Sequence, residues 1–139
     1  MRQEVIFKLN DEDYGLDIMN VNEIIRRQEL TAMPNTASYI LGVTNIRGKV
    51  IPVICLKEML GMKTKEDDDS TRIIVISHDD KMYGFKVDAV SEIIKIEDEQ
   101  IEVQESLSAT TEGNLIFGIA KLDERLVKLL DIEKIIVKS

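Results

Sequence analysis

Gly42-Val43-Thr44-Asn45-Ile46-Arg47-Gly48-Lys49-Val50-Ile51-Pro52-Val53-Ile54-Cys55-Leu56 is the stretch whose reading decides the fold. Val43–Ile46 and Val50–Leu56 are rich in β-branched residues, and Arg47-Gly48-Lys49 between them has the length and the glycine of a tight hairpin turn. The sequence therefore predicts an antiparallel hairpin with a guanidinium at its tip. A charged side chain beside a bare turn glycine stands at the rim of a sheet, where it either solvates the turn or meets a partner.

Upstream of the hairpin, Val5–Leu9 and Tyr14–Ile18 are two short strands around the polar turn Asn10-Asp11-Glu12-Asp13. Ile18–Ile25 reads as a turn and then a strand, because its β-branched residues are too dense for so short a helix. Leu30–Asn35 is irregular, with Pro34 holding Met33 extended. Asn35 or Thr36 is then expected to cap a short helix that runs through Leu41 and closes at Gly42. Downstream, Lys57–Gly61 reads as one helical turn with a glycine C-cap, and Lys63–Ser70, which has no apolar residue, as a solvated loop. Its Glu66-Asp67-Asp68-Asp69 run lacks the spaced ligands and the turn glycine of a calcium loop.

Beyond that loop the chain starts again. At an offset of 69, Val5–Ile25 falls on Ile74–Ile94 with seven identities, at Asp11, Tyr14, Gly15, Val21, Glu23, Ile24 and Ile25. At an offset of 76, Ile40–Val43 falls on Ile116–Ile119 and Val50–Leu60 on Leu126–Ile136. The chain is thus a two-fold pseudo-repeat of a five-strand unit, with a short helical turn closing each copy. Strands this short suit small barrels, so each half, 1–68 and 69–139, is expected to curl into its own barrel. The two pack side by side in one domain, 1–139, with the N-terminal strand a candidate for sharing between them.

The repeat also serves as an internal control. Tyr14/Tyr83, Gly15/Gly84 and Gly42/Gly118 recur in both copies and read as structural. Glu23 and Glu92 recur as well, which favours a structural part for Glu23. Asn45, Arg47 and Gly48 instead fall on Lys121, Asp123 and Glu124, so the Asn-x-Arg-Gly feature belongs to the first copy alone and points to a task of that copy.

A chain of 139 residues is long enough to bury roughly 70% of its unfolded surface without metal or disulfide. Hydrophobic residues make up 44%, yet aromatics only 4% and Trp none, so the core must come from Ile, Val, Leu and Met, which favours sheet. Cys55, the single cysteine, has no internal partner and lies in an apolar run, as expected in a reducing compartment. No charged-then-apolar leader opens the chain and no apolar run approaches the roughly 18 residues of a membrane span, so a soluble cytoplasmic protein without membrane insertion is expected. A net charge of −8 speaks against nucleic acid and against anionic membrane surfaces. Catalysis lacks equipment: His78 is the only histidine, and it falls on Leu9 in the repeat, so it is expected to pack within a strand. One His and one Cys make no metal cluster, the seven glycines are scattered singly rather than forming a phosphate loop, and no cofactor is expected.

Tyr14-Gly15-Leu16-Asp17-Ile18 with Val21-Asn22-Glu23-Ile24, Gly42–Gly48 with Pro52-Val53, Val87-Asp88-Ala89-Val90, and Leu130-Asp131-Ile132-Glu133-Lys134 together resemble the motifs of the CheW-type adaptor family of bacterial chemotaxis. The resemblance covers essentially the whole chain. It implies an all-β fold of two five-stranded SH3-like β-barrel subdomains packed side by side, with short helical segments. It implies a non-enzymatic coupling role, bridging the cytoplasmic signalling tip of chemoreceptors and the regulatory domain of the histidine kinase CheA, in the cytoplasm at membrane receptor arrays. By position, Val21, Glu23, Gly42, Asn45, Arg47 and Gly48 match residues that the family assigns to the receptor-facing groove and its support. The kinase-facing residues are not placed. Because both are assigned to one rim, Glu23 is expected to hold Arg47. The family usually has Asp where Cys55 stands, and the second copy keeps that acid as Asp131, so a local hydrogen bond is expected to be missing at Cys55.

Two other readings stay open at this level: a detached kinase-regulatory-like module, and a two-barrel module that binds a small ligand in another signalling pathway. Few aromatics speak against the second. Only four residues precede Val5 and one follows Lys138, so an adaptor fused to a receiver domain is not expected.

Overall fold

The computed structural model describes residues 2–103 and 115–138. The first copy supplies β1 (Arg2–Leu9), β2 (Glu12–Asp17), β3 (Val21–Arg26), β4 (Ile40–Ile46), β5 (Lys49–Cys55) and the single turn α1 (Leu56–Met59). The second supplies β6 (Arg72–His78), β7 (Lys81–Val87), β8 (Ala89–Ile96), a two-residue β9 (Ile101–Glu102), β10 (Ile116–Leu122), β11 (Arg125–Leu130) and α2 (Ile132–Lys138). Short 310 turns stand at Ile18–Asn20 and Asp98–Gln100.

The strands form two sheets, ordered β8-β1-β2-β11-β10-β9 and β3-β6-β7-β5-β4. The copies repeat in register as well as in sequence: Gly42 faces Val53 and Gly118 faces Leu129, while Val53 pairs in parallel with Gly84 and Leu129 with Gly15. Each copy does not curl into a barrel of its own, however. The β1–β2 hairpin lies in the sheet built by the second copy, and β6–β7 in the sheet built by the first, a reciprocal exchange.

The reason lies in which faces are apolar. Val5, Phe7 and Leu9 on one face of β1 join Ile74 and Ile76 of β6 in a central core between the sheets. Ile6, on the other face, packs with Ile96, Ala120, Val127 and Leu129 inside the second barrel. Ile73 and Val75 likewise turn to Ile46, Ile51 and Val53 inside the first. Unbroken apolar runs such as Ile73-Ile74-Val75-Ile76 need a core on both faces, and exchange puts β1 and β6 between two. The chain crosses from one sheet to the other at Ile18–Asn20 and again at Asp88.

Other expectations meet mixed outcomes. α1 ends as predicted, in a Schellman closure: Met62 N–H donates to Lys57 O at 2.8 Å and Gly61 N–H to Glu58 O at 3.1 Å, with Gly61 at φ 76°. No helix forms over residues 36–41, a correction. Thr36 Oγ1 donates to Met33 O instead of capping, and Tyr39 O accepts from Cys55 N at 2.7 Å, which draws this segment into the sheet. The hairpin turn is also tighter than expected, for Lys49 already opens β5. His78 is half-exposed at the end of β6 rather than buried like Leu9. Tyr14 is fully buried and its ring stacks on Phe7 at 6.1 Å between centroids.

Two buried charges stand out. Lys57 of α1 is 4% exposed, and its Nζ lies 2.8 Å from Asp88 Oδ1 and donates to Asn10 Oδ1 at 3.3 Å. Asn10 N–H in turn donates to Asp88 Oδ2 at 2.8 Å, so the three residues lock one side of the junction between the sheets. Glu4 of β1 is fully buried on the same face as Ile6. No helix among the described residues is long and apolar enough to cross a membrane.

Candidate functional site

Ile46 and Lys49 are the last pair of the β4–β5 ladder, which leaves Arg47 and Gly48 as a two-residue loop. Both have positive φ, 52° and 82°, the pattern of a type I′ turn whose twist matches that of the strands. Gly48 adopts this geometry without cost. Arg47 does not: of the non-glycine residues at positive φ among those described, the others are all Asn or Asp. A strained backbone angle under a long cationic side chain must be held by its surroundings. Asn45 does part of this, its Oδ1 accepting the Gly48 N–H at 3.0 Å across the turn.

Glu23 does the rest. The two parallel hydrogen bonds, Arg47 Nε to Glu23 Oε1 at 3.1 Å and Arg47 Nη2 to Glu23 Oε2 at 2.9 Å, form a bidentate fork. Its hydrogen bonds, and then its charge, raise the Arg47 guanidinium further above its ordinary value, so the group is always cationic. β3 and β4 are the two edges of the first sheet, and the fork ties the β4–β5 hairpin to β3. The second copy uses its own version of this tie: Arg125 Nη1 donates to Glu92 Oε2 at 3.3 Å. The recurrence of Glu23 and Glu92 is thus explained by closure of each barrel, while the side chain at the hairpin tip differs. Arg47 itself stays 80% exposed despite the fork.

Beside the fork runs a groove of about 380 Å³ lined by Asn22, Glu23, Ile46, Arg47, Lys49 and Met82. A more polar hollow of about 570 Å³ shares Asn22, Lys49 and Met82 with it and continues to Ser77, His78, Asp79 and Asp80. Ser77 Oγ donates to Asn22 Oδ1 at 2.7 Å, and His78 Nε2 lies 3.3 Å from Asp79 Oδ2. The surface offers a fixed cation, a carboxylate already half-engaged, and an apolar floor at Ile46 and Met82. That combination suits recognition of a protein surface. Among the described residues no group of three or more His, Cys, Asp or Glu is placed to hold a metal.

Of the six residues singled out in the sequence, Glu23, Asn45, Arg47 and Gly48 come together at this tip. Val21 opens β3, pairs with Ile76 and packs half-buried against the central core. Gly42 is buried in β4 at φ 147°, and a Cβ there would lie 2.5 Å from Thr31 O. Its part is to let the chain at Thr31 lie against Val43, where Thr31 N–H donates to Val43 O and Val43 N–H to Thr31 O, both at 2.9 Å. Sequence reasoning missed Asn22, Lys49 and Met82. Their signal is weak: Lys49 reads as a turn residue in sequence, and Met82 sits in an ordinary strand. At the Cys55 position the expectation holds, since α1 has no side-chain cap whereas Asp131 Oδ1 accepts the Lys134 N–H at 3.2 Å in α2.

The model of the CheW-like domain matches residues 3–139. A chemotaxis protein CheW of Helicobacter pylori is 39% identical over 138 residues, covering 99% of this chain and 82% of the relative. Another, of Klebsiella aerogenes, is 35% identical, covering 95% and 80%. Among solved structures, the scaffolding protein CheW of Thermoanaerobacter tengcongensis superposes with a TM-score of 0.86 at 36% identity, over 94% of this chain and 84% of that one.

Proposed function

The chain belongs to the CheW-like domain family and is a chemotaxis coupling adaptor, and from that premise we propose that it bridges a chemoreceptor's cytoplasmic signalling tip and the regulatory domain of the kinase CheA. On this reading it works in the cytoplasm, is recruited to membrane receptor arrays, and catalyses nothing itself. The receptor-facing rim is the hairpin tip, with Arg47 as the contact and Glu23, Asn45 and Gly48 as its holders. Val21 supports the base of β3, and Gly42 lets the preceding segment dock on β4.

One observation carries the assignment: Arg47 is kept 80% exposed in a backbone geometry that favours Gly, Asn or Asp, and is aimed by a bidentate carboxylate. A structural role would need neither the strain nor the exposure. Aimed in this way, the guanidinium can meet a carboxylate or the C-terminus of a receptor helix, while the groove beside it takes the helix's apolar side chains.

The test is a titration of the purified chain against a CheA regulatory domain and a receptor signalling tip, each repeated with Arg47→Ala. Binding to both, with only the receptor arm lost in the variant, is expected. A folded Arg47→Ala protein that binds the receptor tip as wild type does would overturn the assignment of the rim.

A further inference from the structure

The pseudo-repeat places two equivalent sites at the junction between the sheets, and only one of them is closed. On the closed side Lys57 of α1 is buried against Asp88 and Asn10, beside the fully buried Leu9 and Leu56. The offsets that align the copies put Glu133 of α2 where Lys57 stands, His78 in place of Leu9, Asp79 in place of Asn10 and Met19 in place of Asp88. The lock cannot form there, because its cation has become a carboxylate and its carboxylate a thioether. Met19 is 87% exposed, Glu133 is exposed, and a cleft of about 410 Å³ opens between Arg2, Asp17, His78 and α2. Phe117, Leu130 and Ile132 give it an apolar floor.

Its charge is unbalanced. Asp17, Asp131 and Glu133 face one cation, Arg2, and that guanidinium is already engaged by Glu4 at 3.0 Å, by Asp17 at 3.3 Å and by the face of Phe117. What this side lacks is the ammonium that its twin carries internally. We propose that the cleft beside α2 is a docking site for a lysine or arginine side chain, flanked by apolar residues, from a partner protein. The methylenes lie on Phe117 and Ile132 while the charged head meets Glu133 and Asp17, as the head of Lys57 meets Asp88 across the junction. This site adjoins the hollow beside the Arg47 rim at His78 but does not include Arg47 and does not depend on the assignment of that rim.

The probe is acetyl-Leu-Lys-Ile-amide, titrated into the 15N-labelled full chain, with the same peptide carrying Nε-acetyl-lysine as control. Amide shifts centred on Asn20, His78, Phe117 and Ile132 are expected with the first peptide and not with the second. Glu133→Lys sets an ammonium on α2 as Lys57 sets one on α1, so it should abolish the shifts. Glu133→Gln should weaken them, and Arg47→Ala should leave them unchanged. Glu133 is exposed, so a dispersed spectrum of either variant will show that the fold is kept. The proposal is overturned by absence of localised shifts at millimolar peptide, by shifts spread over the acidic 63–70 loop instead, or by their persistence in Glu133→Lys.

Discussion

Glu4→Gln should make the protein more stable in weak base and leave it nearly unchanged in weak acid. Glu4 is fully buried, on the face of β1 that points into the second barrel. Its Oε2 accepts from Arg2 Nε at 3.0 Å, while Oε1 has no hydrogen-bond partner among the described residues. The backbone of Gly15 lies so close that a Cβ there would stand 3.2 Å from that oxygen. Burial raises the carboxyl from its ordinary 4.5 to about 7; the charge and hydrogen bond of Arg2 pull it down in part, and Asp17 pushes it up. A carboxyl with a raised folded value favours the fold when protonated and opposes it when ionised. The wild type is therefore penalised above pH 7, and the penalty is relieved as the pH falls through 7 toward 4.5.

Each pH unit of displacement is worth about 1.4 kcal/mol, so moving from pH 5 to pH 8 should cost the wild type about 2–3 kcal/mol that Glu4→Gln does not lose. Urea unfolding of both proteins at the two pH values measures this difference, and the neutral amide keeps the acceptor that Arg2 needs. Stability curves that run parallel between pH 5 and 8 would refute the reasoning, as they would mean that Glu4 keeps its charge at no cost.

Four further outcomes follow from the geometry. Arg47→Asn, which suits the positive φ of the turn, should melt no lower than wild type by calorimetry while losing receptor-tip binding, separating strain from fold. Gly42→Ala should cost about 2 kcal/mol or more in urea unfolding, because the methyl meets backbone rather than a yielding side chain. Asp88→Ala should cost about 3 kcal/mol by leaving Lys57 buried without its carboxylate, whereas Lys57→Met together with Asp88→Ala should recover most of it. Chains of residues 1–68 and 69–139 made separately should be unfolded by circular dichroism and fold on mixing, since each sheet takes a hairpin from the other copy.

How the copies share hairpins was the least legible part of the fold, and the reason is a symmetry of the repeat itself. When two copies are alike, pairing β1 with its own β3 or with the β8 of the other copy satisfies the same offset, the same apolar residues and the same register. Periodicity cannot break that tie. The continuous apolar runs Val5-Ile6-Phe7 and Ile73-Ile74-Val75-Ile76 can, because a strand buried on both faces belongs in the middle of a sheet. The missing helix at residues 36–41 has a different cause. Caps and a closing glycine are signals for the ends of a helix, and nothing in Ala37-Ser38-Tyr39 supplies an apolar stripe to bury between them.

At the β4–β5 hairpin tip the same repeat was informative where its copies disagree. Arg47 and its turn could be singled out because Asp123 and Glu124 occupy the matching place, and its tie to Glu23 could be expected from their shared rim. Asn22, Lys49 and Met82 could not, since their convergence depends on the closure of β4–β5 against β3, which is a property of the folded barrel. The cleft beside α2 lies between these cases. Its mismatches, His78 against Leu9 and Glu133 against Lys57, are visible in the aligned copies, but they acquire meaning only once Lys57 is seen buried against Asp88. A duplicated fold needs both copies of a residue to keep its core and only one to acquire a task, so departures between equivalent positions point to a task of one copy, at Arg47 from the aligned sequence alone and at the cleft beside α2 only against the buried Lys57–Asp88 pair of its twin.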